Sequence, residues 1–203
     1  MTNHFHTIVI GAGSGGMTAA IGLAGLGKQV AFIEGNHVGG DCTNVGCVPS
    51  KTLIHLAKHF KPGMNPDEAL HEVTRKRDAL RDKETEEVRH LKNVTFIEGI
   101  AKFTAPKEIE VALKAGGTQK LTADNIVIST GARPRMIEIP GLPKERTLTN
   151  ESLFDLRDMP KHLVIAGAGV IAMEMAFAFR KLGAKVTMYA LDARPLAVYI
   201  PEV

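Results

Sequence analysis

Residues 7–16 read Thr-Ile-Val-Ile-Gly-Ala-Gly-Ser-Gly-Gly, a short apolar run followed by glycines in the spacing G-x-G-x-x-G. The apolar run has the length of a strand and breaks at Gly11. A helix is predicted from about Ser14 to Leu26, and a second strand over Gln29–Glu34. A strand, a helix and another strand in this order indicate a parallel βαβ unit, so the chain belongs to the α/β class.

The three glycines of this turn each have a physical role. Gly11 allows the tight turn, Gly13 lets a pyrophosphate approach the backbone, and Gly16 lets helix and strand pack closely. The helix N-terminus offers unpaired N–H groups to an anion. Glu34 stands 23 residues after Gly11, where a carboxylate accepts a hydrogen bond from a ribose hydroxyl. The unit is predicted to bind a dinucleotide; the alternative is glycines that only permit tight packing in an unrelated α/β protein.

The same pattern returns 156 residues later, with Gly167, Gly169 and Ala172 in the places of the three glycines. Its predicted elements are a strand over His162–Ala166, a helix from about Val170 to Leu182, and a strand over Lys185–Ala190. This repeat predicts a second nucleotide-binding unit. The alternative is a degenerate βαβ unit that binds nothing.

The second unit differs from the first at the ribose position. Ala190 occupies the place of Glu34, and an alanine cannot hydrogen-bond a ribose hydroxyl. Asp192 could substitute from two residues further on, and Arg194 could meet a 2′-phosphate. NADH versus NADPH therefore stays open, with the missing carboxylate favouring NADPH.

Between the repeats lie helices and short strands that end in a proline-containing linker at Pro134, Pro140 and Pro143. Ala115-Gly116-Gly117 is the predicted hairpin turn. The predicted helices run from about Ser50 to His59 and from about Asp67 to Leu91, and the predicted strands cover Val94–Glu98, Glu108–Leu113, Thr118–Leu121 and Asn125–Ser129. The fold predicted from these elements is a Rossmann-like domain over residues 1–149, a parallel sheet with helices and a small antiparallel meander. The start of a second Rossmann-like domain follows over residues 150–203.

Cys42 and Cys47 are the only cysteines of the sequence. Residues five apart on a regular helix are too distant for a disulfide, which needs Cα atoms about 4.4–6.8 Å apart. Gly46 permits an irregular turn, and Pro49 is tolerated in a first helical turn. The two cysteines are therefore predicted to bridge the entry to the following helix, with Cys47 near the positive end of the helix dipole. A constrained bridge of this kind is reducible.

Two alternatives for the cysteines stay open. His55 and His59 follow them, and C-x4-C-x7-H-x3-H resembles the ligand spacing of a zinc site. The second alternative is a pair of buried, inert cysteines.

Residues 39–51, Gly-Gly-Asp-Cys-Thr-Asn-Val-Gly-Cys-Val-Pro-Ser-Lys, closely resemble the redox-active segment of the pyridine nucleotide–disulfide oxidoreductases. These enzymes include dihydrolipoyl dehydrogenase, glutathione reductase and mercuric reductase. The order of first glycine turn, cysteine pair and second glycine turn extends the resemblance over essentially the whole chain. The resemblance implies FAD and NAD(P)H as cofactors, with electrons passing from NAD(P)H to FAD, then to the disulfide, then to substrate.

The resemblance also implies a role for individual residues. Cys47 resembles the thiol that faces the flavin, and Cys42 the thiol that exchanges with substrate. Lys51 resembles the lysine beside the flavin, and Glu174 its carboxylate partner, since a buried ammonium needs a counter-ion. The residues expected to bind FAD are Gly11, Gly13, Ser14, Gly15, Gly16, Glu34, Gly40, Asp41, Ala101, Ser129, Thr130 and Gly131, and those expected to bind NAD(P)H are Gly167, Gly169, Val170 and Ile171.

Two features depart from the family pattern. Asp41 stands where many members have threonine, and its carboxylate would repel an FAD phosphate unless it is hydrogen-bonded elsewhere or faces a cation. The chain is also less than half the length of family members, whose general base and dimerisation domain lie beyond Val203. We therefore expect these 203 residues alone to be inactive or weakly active, and the full-length protein to be a homodimer.

The composition and charge of the chain limit the kinds of partner that it is expected to bind. The formal net charge is only +3, and the charged run from Glu72 to Lys92 mixes both signs, so neither indicates a nucleic-acid site. No apolar run approaches the roughly 20 residues that cross a bilayer. The expected protein is a cytoplasmic flavoenzyme acting on a small disulfide, a dithiol or a metal ion, with dihydrolipoyl dehydrogenase-like chemistry first and mercuric reductase-like or glutathione reductase-like chemistry as alternatives. A non-catalytic nucleotide-binding module is the alternative of a different class.

Overall fold

A computed structural model describes residues 3–136, 139–191 and 193–197. The chain divides into two compact units: Met1–Asn44 with Asp78–Ile137, and Val45–Arg77 with Glu138–Val203. The bounds of these units differ from those of the predicted domains. An FAD-binding domain over residues 1–149 and the start of an NAD(P)-binding domain over residues 150–203 therefore stay predictions.

Seven strands and six α-helices carry the fold of the described residues. In chain order they are β1 (His4–Ile10), α1 (Ser14–Gly25), β2 (Val30–Glu34), α2 (Gly40–Asn44), α3 (Cys47–His59), α4 (Asp67–Arg89), β3 (Val94–Ala105), β4 (Glu108–Leu113), β5 (Thr118–Ile128), α5 (Asn150–Leu153), β6 (His162–Ala166), α6 (Val170–Lys181) and β7 (Lys185–Tyr189). The α/β class is confirmed, and both predicted βαβ units are present. The short helices α2 and α5 were not predicted, because neither is long enough to show a helical period.

The five strands of the first unit pair in a closed ring in the order β1-β2-β3-β4-β5. β1 runs parallel to both β2 and β5, and β2 runs parallel to the first half of β3. β4 runs antiparallel to both of its neighbours. It pairs with the part of β3 from Gly99 onward and with the part of β5 up to Thr122. The predicted parallel sheet and antiparallel meander are therefore one continuous structure.

Two strands are longer than the sequence predicts. β3 continues past Glu98 to Ala105, and the two short strands predicted over residues 118–129 form the single strand β5. The extra residues of β3 include the exposed Lys102 and Phe103, so they lack the continuous apolar run of a strand buried on both faces. The turn between β4 and β5 lies where it was predicted.

The core of the first unit lies on both faces of β1. Ile8 and Ile10 pack with residues from all the other strands of the ring, whereas Val9 packs with Ala20 of α1 and Phe32 of β2. Burial on both faces explains why β1 reads as an uninterrupted apolar run.

Helix α1 approaches the first glycine turn closely enough to exclude any side chain at Gly16. A Cβ atom there would overlap the carbonyl oxygen of Gly11. Gly11 has φ +101°, and a Cβ on it would overlap the carbonyl of Ser129. The helix N-terminus is thereby held at the carboxyl ends of β1 and β5.

The second unit contains the parallel pair β6–β7, helices α3, α5 and α6, and the first half of α4. Its core includes the fully buried Leu53 of α3, Phe179 of α6 and Leu182, which directly follows α6. The buried Arg77 donates a 2.7 Å hydrogen bond to Asp155, and the amide of Met159 donates one of 2.7 Å to Asp67. These contacts fasten the segment before β6 to α4.

None of the helices in the described parts of the chain combines the length and the apolar character needed to cross a membrane.

Two phenylalanines of α6 provide a matched test of this core. Phe179 is fully buried, whereas Phe177 is 68% exposed on the same helix. Replacing Phe179 with alanine is expected to lower the free energy of unfolding by about 3–5 kcal/mol, because it removes buried apolar surface and leaves a cavity. Phe177→Ala is expected to change it by less than about 0.5 kcal/mol. Urea denaturation measures both, and equal losses would contradict this packing.

Two glycines of α1 test its approach to the turn. Gly16→Ala is expected to destabilise the first unit, because its Cβ meets backbone that cannot move aside. A Cβ on Gly22 meets nothing within 4 Å, so Gly22→Ala is expected to stabilise the helix by about 0.5–1 kcal/mol. Thermal unfolding followed by circular dichroism should show shifts of opposite sign. Shifts of the same sign would disprove the close approach.

Candidate functional site

Glu34 closes the first glycine turn through its side chain. The amide of Ala12 donates a 2.6 Å hydrogen bond to Glu34 Oε2, and the amide of Asn36 donates one of 2.7 Å to Oε1. Each carboxylate oxygen can accept a further hydrogen bond, so both remain available to hydroxyl groups. Glu34 therefore orders the turn and can still bind a ribose.

The N-terminus of α1 offers backbone N–H groups to an anion. Gly13 is the N-cap residue, and within the described residues it has no side-chain capping hydrogen bond. Because Gly13 and Gly15 lack side chains, the approach to these N–H groups is open. The helix dipole adds positive potential at the same point.

Two other segments of the first unit meet this turn. The amide of Ser129 donates a 2.8 Å hydrogen bond to Ile10, and Gly40 lies so close that a Cβ on it would overlap Gly13. Gly131, two residues after Ser129, has a positive φ of 69°. The structure thus brings together three groups of predicted FAD-binding residues: Gly11–Gly16, Gly40–Asp41 and Ser129–Gly131. Asp41 is exposed in the first turn of α2.

The predicted adenine segment lies beside the end of β2. Glu34 is in register with Glu98, and a Cβ on Gly35 would stand 3.3 Å from the Ile100 side chain. Ala101 is half-buried and pairs with Val111 of β4. Glu34, the predicted ribose ligand, and the predicted adenine segment are therefore neighbours in the first unit.

The α2 turn that carries Cys42 is fixed by its polar neighbours. Asn44 Nδ2 donates 2.9 Å hydrogen bonds to the carbonyls of Val38 and Gly40. Thr43 Oγ1 donates a 2.9 Å hydrogen bond to Glu84 Oε2. Sequence reasoning missed Glu84, because 41 residues separate it from Thr43 and no local pattern connects them. Asn44 itself lies inside the quoted motif and could have been found there.

Asn44 also carries an orphaned polar atom. Its Oδ1 is buried and has no hydrogen-bond partner among the described residues. A buried unsatisfied acceptor is costly, so this oxygen favours an additional donor at the α2 turn.

Cys47 is the first residue of α3, preceded by a non-helical Gly46 with φ −129° and ψ −112°. The predicted break and the place of Pro49 in the first helical turn are confirmed, although the helix begins three residues earlier than Ser50. Cys42 is half-buried and Cys47 is exposed. The alternative of two buried cysteines is therefore wrong.

Cys47 and Lys51 line an open pocket of the second unit, together with Val48, Thr52, His55 and Lys76. Lys51 Nζ forms an ion pair with Glu174 Oε1 of α6, so the pair implied by the resemblance is present. The Lys51 side chain is 61% exposed in this structure, and its position beside a flavin stays a prediction. An exposed ion pair adds little stability, so its contribution is to orient the ammonium.

A second carboxylate lies near this pocket on α4. A hydrogen bond from Arg75 lowers the pKa of Glu72, which also stands 3.6 Å from Lys76 Nζ. Glu72 therefore stays charged beside the pocket lysine. Sequence reasoning missed Lys76, because an i,i+4 ion pair on a charged helix is typical of a solvated face.

The second glycine turn has an open helix N-terminus like the first. Gly167 has φ +121°, and its amide donates a 2.7 Å hydrogen bond to Tyr189. Gly169 is the N-cap residue of α6, without a side-chain cap among the described residues, and Val170 and Ile171 are exposed. This geometry suits a nucleotide phosphate.

At the position of the second turn that corresponds to Glu34, no predicted ribose acceptor lies among the described residues. Ala190 is exposed, and Asp192 lies outside the described residues. Arg194 donates a hydrogen bond of 3.2 Å to the carbonyl of Ala197. The choice between NADH and NADPH stays open.

The zinc alternative is not supported by this structure. No group of three or more histidine, cysteine or acidic side chains is placed to hold a metal ion in the residues that it describes. His55 and His59 do lie together, with ring centroids 4.5 Å apart.

Comparison with known proteins agrees with this geometry. A family profile described as pyridine nucleotide-disulphide oxidoreductase matches residues 5–203. Dihydrolipoyl dehydrogenase 3 of Pseudomonas aeruginosa is 37% identical over 205 residues, which cover 93% of this chain and 44% of that protein. Mercuric reductase of Lysinibacillus sphaericus is 34% identical over 220 residues, covering 99% of this chain and 38% of that protein.

Solved structures give the same relationship. The Cu(II) complex of a cysteine-to-serine mutant of the HOCl-induced flavoprotein disulfide reductase RclA from Escherichia coli has a TM-score of 0.89 and 30% identity. It is matched over 100% of this chain and 46% of that chain. The chain thus spans less than half the length of these relatives. The profile match over nearly all of the chain and these identities show that it belongs to the pyridine nucleotide–disulphide oxidoreductase family, whose cofactors are FAD and NAD(P)H.

Proposed function

We propose that this chain is part of an FAD-dependent oxidoreductase that passes electrons between NAD(P)H and a disulfide or dithiol substrate, with dihydrolipoyl dehydrogenase-like chemistry. The observation that carries the proposal is the pocket of the second unit, where Cys47 opens α3 one turn before a Lys51 that is paired with Glu174. A thiol and an oriented ammonium in one pocket suit two-electron chemistry. Dihydrolipoyl dehydrogenases and mercuric reductases among the relatives support the same class.

The residues of the first unit fit an FAD. Its pyrophosphate matches the open N–H groups at Gly13–Gly16, its ribose matches Glu34, and its adenine matches the backbone near Ala101. The acceptor Oδ1 of Asn44 and the close packing of Gly40 on Gly13 fit a group bound at this turn. When bound, FAD accepts two electrons from NAD(P)H and passes them to a disulfide.

The two cysteines carry the exchange with substrate. Reduction of a Cys42–Cys47 bridge by two electrons and two protons gives two thiols. The Cys42 thiolate then attacks the substrate disulfide and expels one substrate thiol, and Cys47 attacks the mixed disulfide and expels the second. The internal bridge forms again, and the substrate has gained the two electrons.

Lys51 and Glu174 tune this centre. An ammonium near a flavin stabilises the negative charge of its reduced form, and Glu174 keeps that ammonium in place. The α6 N-terminus at Gly169–Ile171 holds the NAD(P)H phosphates.

We infer that the whole protein is a cytoplasmic homodimer and that these 203 residues alone are inactive or weakly active, since they span less than half the length of the relatives. Mercuric reductase-like action on a metal ion is the second candidate, favoured by the mercuric reductases among the relatives. A glutathione reductase-like enzyme is another form of the same chemistry.

Glu34→Ala tests the nucleotide site. We expect the parent protein to bind FAD and to be yellow. The substitution removes a ribose acceptor, so we expect it to weaken FAD binding by about tenfold or more. Flavin fluorescence quenching measures the dissociation constant. Glu98→Gln is the matched control, since Glu98 is in register with Glu34 but pairs with Arg89. A colourless protein that never binds FAD would instead support the nucleotide-binding module.

The two thiols are tested separately by Cys42→Ser and Cys47→Ser in the FAD-loaded full-length protein. Both variants are expected to keep FAD and to lose NAD(P)H-dependent disulfide reduction by at least about a hundredfold, because thiol exchange needs both sulfurs. The long-wavelength absorbance of a thiolate beside the flavin should vanish only in Cys47→Ser. If that band survives in Cys47→Ser and vanishes in Cys42→Ser, the roles of the two thiols are reversed.

A further inference from the structure

Two histidines on α3 form a pair that the proposed redox chemistry does not use. His55 and His59 are one helical turn apart and both are exposed. Their ring centroids lie 4.5 Å apart with an angle of 46° between the ring planes. Residues at i and i+4 share a helix face, so the helix itself sets this spacing.

The tautomer of His59 is set by its backbone neighbour. Its Nδ1 lies 2.8 Å from the carbonyl oxygen of His55, which can only accept a hydrogen bond. Nδ1 therefore carries the hydrogen, and Nε2 keeps a lone pair for a metal. A histidine that donates its other ring N–H to a carbonyl is the usual arrangement of a metal ligand.

The ring spacing suits one ion between the two imidazoles. A metal about 2.0 Å from one nitrogen of each ring places the ring centroids about 4.5–5 Å apart. The observed separation of 4.5 Å lies in this range. Imidazole nitrogens are ligands that suit Zn²⁺, Cu²⁺ and Ni²⁺, so the choice of metal follows from their relative affinities.

The charges around the pair do not prevent a dication from binding. Lys51 stands one turn before His55 and is paired with Glu174, and Lys76 stands 3.6 Å from Glu72. Lys58 is exposed, and the high dielectric constant of water keeps the repulsion between an exposed ammonium and a bound cation weak. Imidazole coordination thus decides the affinity.

We propose that His55 and His59 form a two-imidazole binding site for Cu²⁺, with solvent completing its coordination. Cu²⁺ is the divalent first-row ion with the highest affinity for nitrogen ligands. His55 lines the same pocket as Cys47, but eight residues of helix put it about 12 Å along α3 from that thiol. An ion on the pair is therefore not a ligand of that thiol, and the proposal does not depend on the redox function.

The test is a titration of the 203-residue chain with CuCl₂, followed by calorimetry and electron paramagnetic resonance. Both cysteines are alkylated so that they neither bind nor reduce the metal, and all variants carry His4→Ala, because His4 lies close to the amino terminus, which also binds Cu²⁺. We expect one Cu²⁺ per chain with hyperfine coupling to two imidazole nitrogens. His55→Gln and His59→Gln should each weaken binding at least about tenfold and leave one coupled nitrogen.

His90→Gln is the matched control. His90 is exposed directly after the last residue of α4, and its Nδ1 lies 2.7 Å from the Glu86 carbonyl, but it has no second histidine four residues away. This variant should bind Cu²⁺ as the parent does. Glutamine is a good helix former at an exposed position, and circular dichroism verifies the fold of each variant. Unchanged affinity in both His55→Gln and His59→Gln, or an equal loss in His90→Gln, would overturn the proposal.

Discussion

The close approach of α1 to the first glycine turn is the contact on which the nucleotide site depends. Because Gly16 has no side chain, the helix N-terminus sits against the carbonyl of Gly11 at the carboxyl ends of β1 and β5. The N–H groups of the helix then face the place where Glu34, Gly40 and Ser129 converge. A larger residue would push the helix away, and each of these groups would lose its position relative to the others. Glu34 adds a second restraint, since its carboxylate binds the turn through the Ala12 amide.

A comparable constraint acts in the second unit, where α3 is fixed on α6 by burial of Leu53, Phe179 and Leu182. This packing directs one face of α3 towards α6 and leaves another face exposed. Lys51 reaches Glu174 of α6 and, like Cys47, His55 and His59, remains exposed. One helix thus presents a thiol, an oriented ammonium and two imidazoles at successive four-residue intervals. The redox proposal uses the first two, and the metal proposal uses the last two.

Much of this arrangement could be predicted from local patterns. The two βαβ repeats were predicted because apolar runs bounded by glycines are strong local signals. The break before α3 was predicted from Gly46 and Pro49, whose backbone preferences act within a few residues. The full length of β3 was not, because the half that carries Lys102 and Phe103 is exposed and lacks an apolar run. The bond from Thr43 to Glu84 could not be predicted, since nothing in either local sequence encodes it.

The sequence by itself determined the family, the two nucleotide turns and the spacing of the cysteines, because each depends on backbone freedom or helical period over a few residues. The tertiary structure decided which of these segments meet. It closed the strands into a ring, placed Glu34 on the amide of Ala12 and brought Glu174 to Lys51 from 123 residues away. It also showed that this ammonium is exposed rather than buried. These contacts depend on the packing of elements that are distant in the sequence. The packing energy is shared among many side chains, so no short stretch of sequence predicts it.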